Sequence, residues 1–451
     1  MNLPTYLIKD ATVVNEMTTR VCDVLIRRGR IEKIGTNLSD LSAIELPAAG
    51  LYLLPGMIDD QVHFRDPGLT YKADLTTESK AAVAGGVTSF MDMPNTLPNT
   101  LTQELLEQKY KAAAKKSVAN YSFFMGINQD NLDQALRTDN EWVAGVTDDG
   151  LYFNDSHGIL ANYPQFLEQL FSKSDALIAL HSEDDQIIAA NLKQYHQRFG
   201  DEIPPEYHHK IRSEAACLVA TERILDLAQK HGNRLHVYHL STAAEIDLFD
   251  SESPIEQKRI TTEACVHHLS FSESDYLTKG HLIKWNPAVK TANDRLGLIE
   301  GLRTGAIDFI ATDHAPHSFS EKQGNYLNAL SGGPLVQHAL QAALELYHSG
   351  YLSLDKVVQK TSHHVAEAYR MIERGYIREG YHADLVLVDL NSPYKVAPSN
   401  LLYKCGWSPF DGHTFSSTIV STFVGGQKVF DRGEFNTTSR GQRLQFKRDR
   451  I

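Results

Sequence analysis

The sequence predicts an α/β protein: a (β/α)8, TIM-like barrel carrying a small β-sandwich domain formed from both termini. Two observations carry this prediction. Through the middle of the 451-residue chain, apolar runs of about five to eight residues alternate with longer segments of helical period, the pattern of repeated β-α units on a parallel sheet. Eight such runs occur, and eight parallel strands close naturally into a barrel. Both ends of the chain, in contrast, are rich in short strands punctuated by glycine.

Taken in order, the first fifty residues hold β-rich runs at 6–14, 23–28 and 30–34, with a tight turn at Arg28-Gly29-Arg30 between the last two. Residues 1–54 are therefore assigned to the small domain. The barrel occupies 55–375. Its strands are expected near 54–64, 87–93, 121–126, 143–147, 177–181, 235–240, 260–266 and 307–312, with helices including 103–114, 185–197, 214–230 and 335–348. Residues 376–451 complete the small domain. They contain apolar strands at 383–389 (ADLVLVD) and 419–424, with turn signals at Gly380, Gly425, Gly426 and Gly433.

Composition narrows the function. A net charge of −12 argues against a nucleic-acid partner, which would meet a basic face. No apolar run approaches roughly 18 residues, so no membrane span is expected. No signal peptide is expected either. The cysteines Cys22, Cys217, Cys265 and Cys405 are scattered, which fits a reducing, cytoplasmic location rather than a disulfide framework.

In such a barrel the chemistry sits at the carboxyl ends of the strands. Those ends carry Gln61, His63 and Arg65 after the first strand and Asn95 after the second. Asp148 and Asp149 follow the fourth, His181 the fifth and His239 the sixth. His267 and His268 follow the seventh, and Asp313, His314 and His317 the eighth. One strand-end histidine is usually a packing residue; several on one rim, with aspartates, are a metal-ligand set.

The motifs PGMIDDQVHFRDPG (55–68), MDMPNT (91–96), VTDDG (146–150), ALHSEDD (179–185), HVYHLST (236–242), KWNPAVK (284–290), IATDHAPH (310–317) and GYIREGYHADLVLVD (375–389) span nearly the whole chain. In this order they resemble the amidohydrolase superfamily, and within it the longer, bacterial type of dihydroorotase. The resemblance implies zinc, as one or two ions, held by His63, Asp149, His181, His239 and Asp313. It implies that Asp313 also shuttles the catalytic proton. Arg65, Asn95 and His317 would grip a substrate carboxylate, Asn286 would stand near the pyrimidine ring, and Gly332 and Gly333 would meet the substrate through backbone amides. His236, His267, His268 and His314 are left as structural or ligand-orienting residues. The implied reaction is the reversible conversion of dihydroorotate to carbamoyl-aspartate in pyrimidine (UMP) biosynthesis.

The chain departs from the family pattern at three points. Where the pattern has His-x-His, this chain has Gln61-Val62-His63, and an amide is a poor zinc ligand beside imidazole. Many family members carry a carboxylated lysine on the fourth strand. Here the segment is Thr147-Asp148-Asp149-Gly150, with Asp149 favoured as ligand and Asp148 second. Lys290 stands where arginine is common. Two other functions stay open: a non-catalytic partner of aspartate transcarbamoylase, and another cyclic-amide hydrolase such as an allantoinase or hydantoinase. A homodimer is expected from the resemblance.

Overall fold

The computed structural model describes residues 3–151, 158–436 and 438–447. Eight parallel strands follow one another around a single sheet in chain order. They are Met57–Val62, Val87–Asp92, Asn120–Gly126, Gly145–Thr147, Ile178–Leu180, Leu235–Val237, Ile260–Cys265 and Phe309–Ala311. Each of the eight expected runs coincides with one of them, the third strand starting one residue earlier, at Asn120. The first and eighth meet through a parallel bridge between Val62 and His314, where the His63 N–H donates to the His314 carbonyl at 2.8 Å.

The expected run at 54–64 divides in two. Tyr52–Pro55 joins the small domain, antiparallel to Leu385–Asp389, and Met57–Val62 enters the barrel. Gly56 sits at the crossing. A Cβ there would lie 2.2 Å from the Thr88 side chain, so only glycine lets the two strands approach this closely.

The small domain is one nine-stranded sheet made from both ends of the chain. Tyr6–Asn15 lies near its centre and pairs with Thr18–Arg27, Ile44–Pro47 and Tyr52–Pro55. Leu385–Asp389 and Thr418–Val424 continue the sheet from the other terminus. Ile8, Val13, Val24, Leu53, Leu385 and Phe423 fill one core, which is why neither terminus forms the domain alone.

Helix boundaries follow local chemistry. Thr102 caps Gln103–Lys116 by accepting from Leu105 N–H, Asp184 caps Asp185–Phe199, and Gly232 in the left-handed region ends Glu214–His231. The helix expected at 335–348 begins with a 3₁₀ turn, Val336–His338, before Ala339–His348. Among the described residues no helix is long and apolar enough to cross a membrane.

The tail crosses back to the barrel: Tyr121 N–H donates to the Gln442 carbonyl, and Leu444 and Phe446 join Ile58, Met91, Phe124 and Phe309 in one buried cluster. A second tie is Asp384. Its carboxylate accepts from Asn120 Nδ2 at 3.1 Å and Gly425 N–H at 2.7 Å and pairs with Arg374, all buried. Asp384→Ala leaves Arg374 without its buried partner, so unfolding free energy should fall by about 3–5 kcal/mol. The urea midpoint measures this, and an unchanged midpoint would refute the tie.

Candidate metal centre and anion pocket

Side chains from the carboxyl ends of six strands meet at one rim. His63 is the hub on the first-strand side. Its Nδ1 lies 2.8 Å from Asn95 Oδ1, and its Nε2 lies 3.0 Å from Asp313 Oδ1 and 3.3 Å from Asp149 Oδ2. Burial alone would lower the His63 pKa, but hydrogen bonds to the two carboxylates outweigh it and carry it up to about 9. Burial raises Asp313 to about 6, against the pull of His63. Burial also acts to raise Asp149, yet His63 and the neighbouring imidazoles hold it below the usual carboxylate range.

On the other side, His181 Nδ1 and His239 Nε2 face each other at 3.1 Å. Two buried imidazoles whose ring nitrogens point at one another, beside a carboxylate, form a donor set suited to a cation. The ligand atoms of Asp149, His181 and His239 all lie within 4.8 Å of one another. Asp149 Oδ1 is buried with no hydrogen-bond partner among the described residues. An orphaned buried carboxylate oxygen is costly unless something positive meets it, so these three residues fit a bound metal. Asp148 is not part of this set: its Oδ1 accepts from the His181 N–H at 3.1 Å. Both residues lie past the end of the fourth strand, Gly145–Thr147, and only Asp149 places a carboxylate oxygen among the imidazoles.

Backbone conformation marks the same residues. Within 55–368, the non-glycine residues with positive φ among those described are Arg65 (63°), His239 (38°) and Asp313 (48°). Strain of this kind clusters where a side chain must be aimed against local preference.

Beside the metal set lies a cavity of about 230 Å³ lined by His63, Arg65, Lys72, Asn95, Asn286, Asp313, His317 and Gly332, among others. Arg65 is buried and its Nε donates to the Pro316 carbonyl at 3.3 Å, while no carboxylate pairs with it among the described residues. Asn286 Oδ1 is buried there without a partner among the described residues.

Two expected contacts are already occupied. His317 Nδ1 lies 3.0 Å from Lys72 Nζ and Nε2 lies 2.9 Å from the Ser331 carbonyl, so both its ring nitrogens are engaged. The Gly332 N–H donates to the Lys284 carbonyl at 2.8 Å, so that amide is not free for a ligand; Gly332 contributes its surface. Gly333 packs against the Trp285 ring, where a Cβ would come within 2.7 Å. His314 is structural as expected: Nε2 lies 3.0 Å from Glu78, and Nδ1 accepts the Leu335 N–H. Lys290 donates to Ser241 Oγ, away from the metal set.

Sequence reasoning missed three participants. Lys72 lines the cavity as a second cation. Burial and then Arg65 lower its pKa to about 8. Glu183, two residues past His181, accepts from His181 Nε2 at 2.9 Å and from Arg212 Nε at 2.9 Å. That bond turns His181 Nδ1 towards His239. The nearness of Glu183 to a strand-end histidine was the available signal. Cys265, ending the seventh strand, reaches Gln61 Oε1 at 3.4 Å. A second carboxylate–imidazole group, Asp60, His236 and Glu263, lies wholly buried. His236 stacks on Phe309 and Tyr369 donates to Asp60, so this group is sealed by rings rather than open to a ligand.

Comparison with known proteins bears on family and fold. A sequence profile of the amidohydrolase family matches residues 52–429. The dihydroorotase of Methanosarcina acetivorans is 32% identical over 422 residues, covering 91% of this chain and 89% of its own. That of Halobacterium salinarum is 31% identical, covering 94% and 96%. Among solved structures, the L-hydantoinase (dihydropyrimidinase) of Arthrobacter aurescens superposes with a TM-score of 0.90 at 24% identity, over 98% of this chain and all of that one, a likeness of fold.

The Glu183 hydrogen bond yields a direct expectation. Glu183→Gln should weaken divalent-cation affinity about 10–100-fold, as loss of a partner to a metal-binding histidine does. Titration calorimetry with Zn²⁺ reads it, and unchanged affinity would remove Glu183 from the centre.

Proposed function

Because the chain belongs to the amidohydrolase family, we propose that it is a dihydroorotase, a zinc-dependent enzyme of pyrimidine biosynthesis. It opens the cyclic amide of dihydroorotate to carbamoyl-aspartate and runs the reverse condensation. The observation that carries the substrate is Arg65. A buried guanidinium with no ion pair among the described residues, facing a cavity beside a metal-ligand set, calls for an anionic substrate. Dihydroorotate bears a carboxylate on its ring; hydantoin and dihydrouracil do not. The names carried by the relatives point the same way.

The chain's own residues supply the remaining chemistry. Arg65 and Lys72 bind the ring carboxylate, and Asn286 turns an unpartnered amide oxygen towards the ring's N–H groups. Asn95 Oδ1 fixes the His63 ring, which in turn lies against Asp313 Oδ1. When bound at Asp149, His181 and His239, zinc supplies a Lewis acid that polarises the scissile carbonyl and makes water more acidic. Asp313, raised to about 6, is ionised at neutral pH yet readily protonated. It accepts the proton of the attacking water and gives it to the ring nitrogen as the C–N bond breaks. The carbonyl carbon ends as a carboxylate and the nitrogen as the carbamoyl NH₂. The resemblance adds a cytoplasmic homodimer to the proposal.

Zinc-loaded protein tested against dihydroorotate, dihydrouracil and hydantoin decides the reading. Turnover of dihydroorotate above the others supports it. Preference for a ring without a carboxylate, or no turnover at full zinc content, overturns it. Arg65→Met should lower kcat/KM about 10²–10³-fold, the cost of a lost buried charge contact of about 3–4 kcal/mol. Its melting temperature should hold, because no ion pair is broken. Lys72 has a folded pKa depressed from 10.5 to about 8, so it is charged below that pH and neutral above it. KM for dihydroorotate should therefore rise as pH passes through about 8. In Lys72→Arg, whose guanidinium stays charged, KM should remain flat. A wild-type KM that does not change across this range would remove Lys72 from carboxylate binding.

A further inference from the structure

Gln61 stands where the family pattern has a metal-binding histidine, and its surroundings define what it does instead. It is fully buried on the first barrel strand. Its Nε2 donates to Asp149 Oδ2 at 3.0 Å, and its Oε1 accepts from the Cys265 S–H at 3.4 Å. An ionised carboxylate only accepts, and a thiol can donate. Both neighbours thus select the same amide orientation, with the N–H groups towards the centre and the carbonyl turned away. An N–H donor cannot ligate a cation.

The consequence falls on Asp149. Its Oδ2 is held by Gln61 and lies near His63, whereas Oδ1 has no hydrogen-bond partner among the described residues. A second metal on the first-strand side would have to break the Gln61 contact and leave the amide nitrogen buried and unpaired, which costs about 1–3 kcal/mol. The His181 and His239 nitrogens, 3.1 Å apart and within 4.8 Å of Asp149, need no such rearrangement.

We propose that the chain holds one resident cation, on Asp149, His181 and His239, and that Gln61, braced by Cys265, takes the place of a second by holding Asp149 with a hydrogen bond. This rests on the metal centre described above and sharpens it. Gln61 is a positioning residue: it acts through Asp149. His63 is then not a ligand but a neighbour of the centre.

Zinc content per chain tests this directly, on protein exposed to excess Zn²⁺ and then desalted. Wild type and His63→Ala should each retain about one zinc, while His181→Ala should fall towards zero. Gln61→His should rise to about two, and its Co²⁺ form should show a spin-coupled pair that wild type lacks. About two zinc ions in wild type, or loss of zinc from His63→Ala, overturns the proposal. If Gln61→His does not fold, anomalous diffraction from zinc-soaked wild-type crystals decides. One peak beside His181 and His239 supports the proposal, and a peak beside His63 and Asp313 overturns it. Dihydroorotate turnover measured on the same samples separates the two readings. One zinc without turnover sinks the substrate assignment alone; turnover with two zinc ions sinks the single-cation proposal alone.

Discussion

A carboxylate cannot remain ionised in the middle of a barrel without partners, and the partners that Asp149 gathers set the arrangement of the whole rim. It is fully buried, so its charge must be met by hydrogen bonds or by positive groups. Gln61 and His63 meet it from the first strand, and His181 and His239 stand beside it from the fifth and sixth. Those strands are fixed by a closed sheet whose several members have only three residues. Short strands put little slack between core and rim, so the ligand geometry is inherited from the barrel rather than from flexible loops.

The rim divides into two halves with opposite electrostatic tasks. Asp149, Asp313 and Glu183 make one side negative enough to hold a cation. Arg65 and Lys72, the latter paired with Glu321 at 3.2 Å, line the other side, the one proposed to hold an anion. Asn95 and His63 join them, because one hydrogen bond links the cavity-lining amide to the imidazole that contacts both carboxylates. Leaving Arg65 buried without a carboxylate is unfavourable for folding alone. It is the sort of unpaired group that persists where a ligand completes it. The Asp384 tie and the returning tail, which hold the small domain and the C-terminal segment onto the barrel, help support such local cost.

Much of this was legible in the sequence, and the parts that were not have physical reasons. Apolar periodicity located every barrel strand, because strands buried on both faces read as continuous apolar runs. It could not see that 54–64 is two strands, since Gly56 is a crossing rather than a turn and both pieces are apolar. Strand-end position brought out His63, Asp149, His181, His239 and Asp313. It could not separate Asp148 from Asp149, because these adjacent carboxylates differ only in the contacts they make just past the strand. Lys72 and Arg212 lie beyond the strand ends and reach the site through folding of the loops. His317 and Gly332 were expected to have free polar groups, and only three-dimensional contacts reveal that those groups are already used.

Gln61 also bears on whether the site is working or decaying. When a ligand is lost without selection on the site, the replacement is under no pressure to satisfy its own polar atoms, and a buried amide would strand a donor or an acceptor. Here both ends of the amide are paired, the nitrogen to Asp149 and the oxygen to Cys265. Cys265 comes from the seventh strand, far away in sequence, so the match requires two strands to agree. Asp149 Oδ1 and Asn286 Oδ1 are among the buried side-chain atoms without a partner among the described residues, and they belong to groups facing the proposed cation and the cavity. A barrel kept only for assembly would have no reason to satisfy the substituted residue. The pairing of both ends of the amide therefore favours a centre rebuilt around Gln61 over one that has lost its purpose.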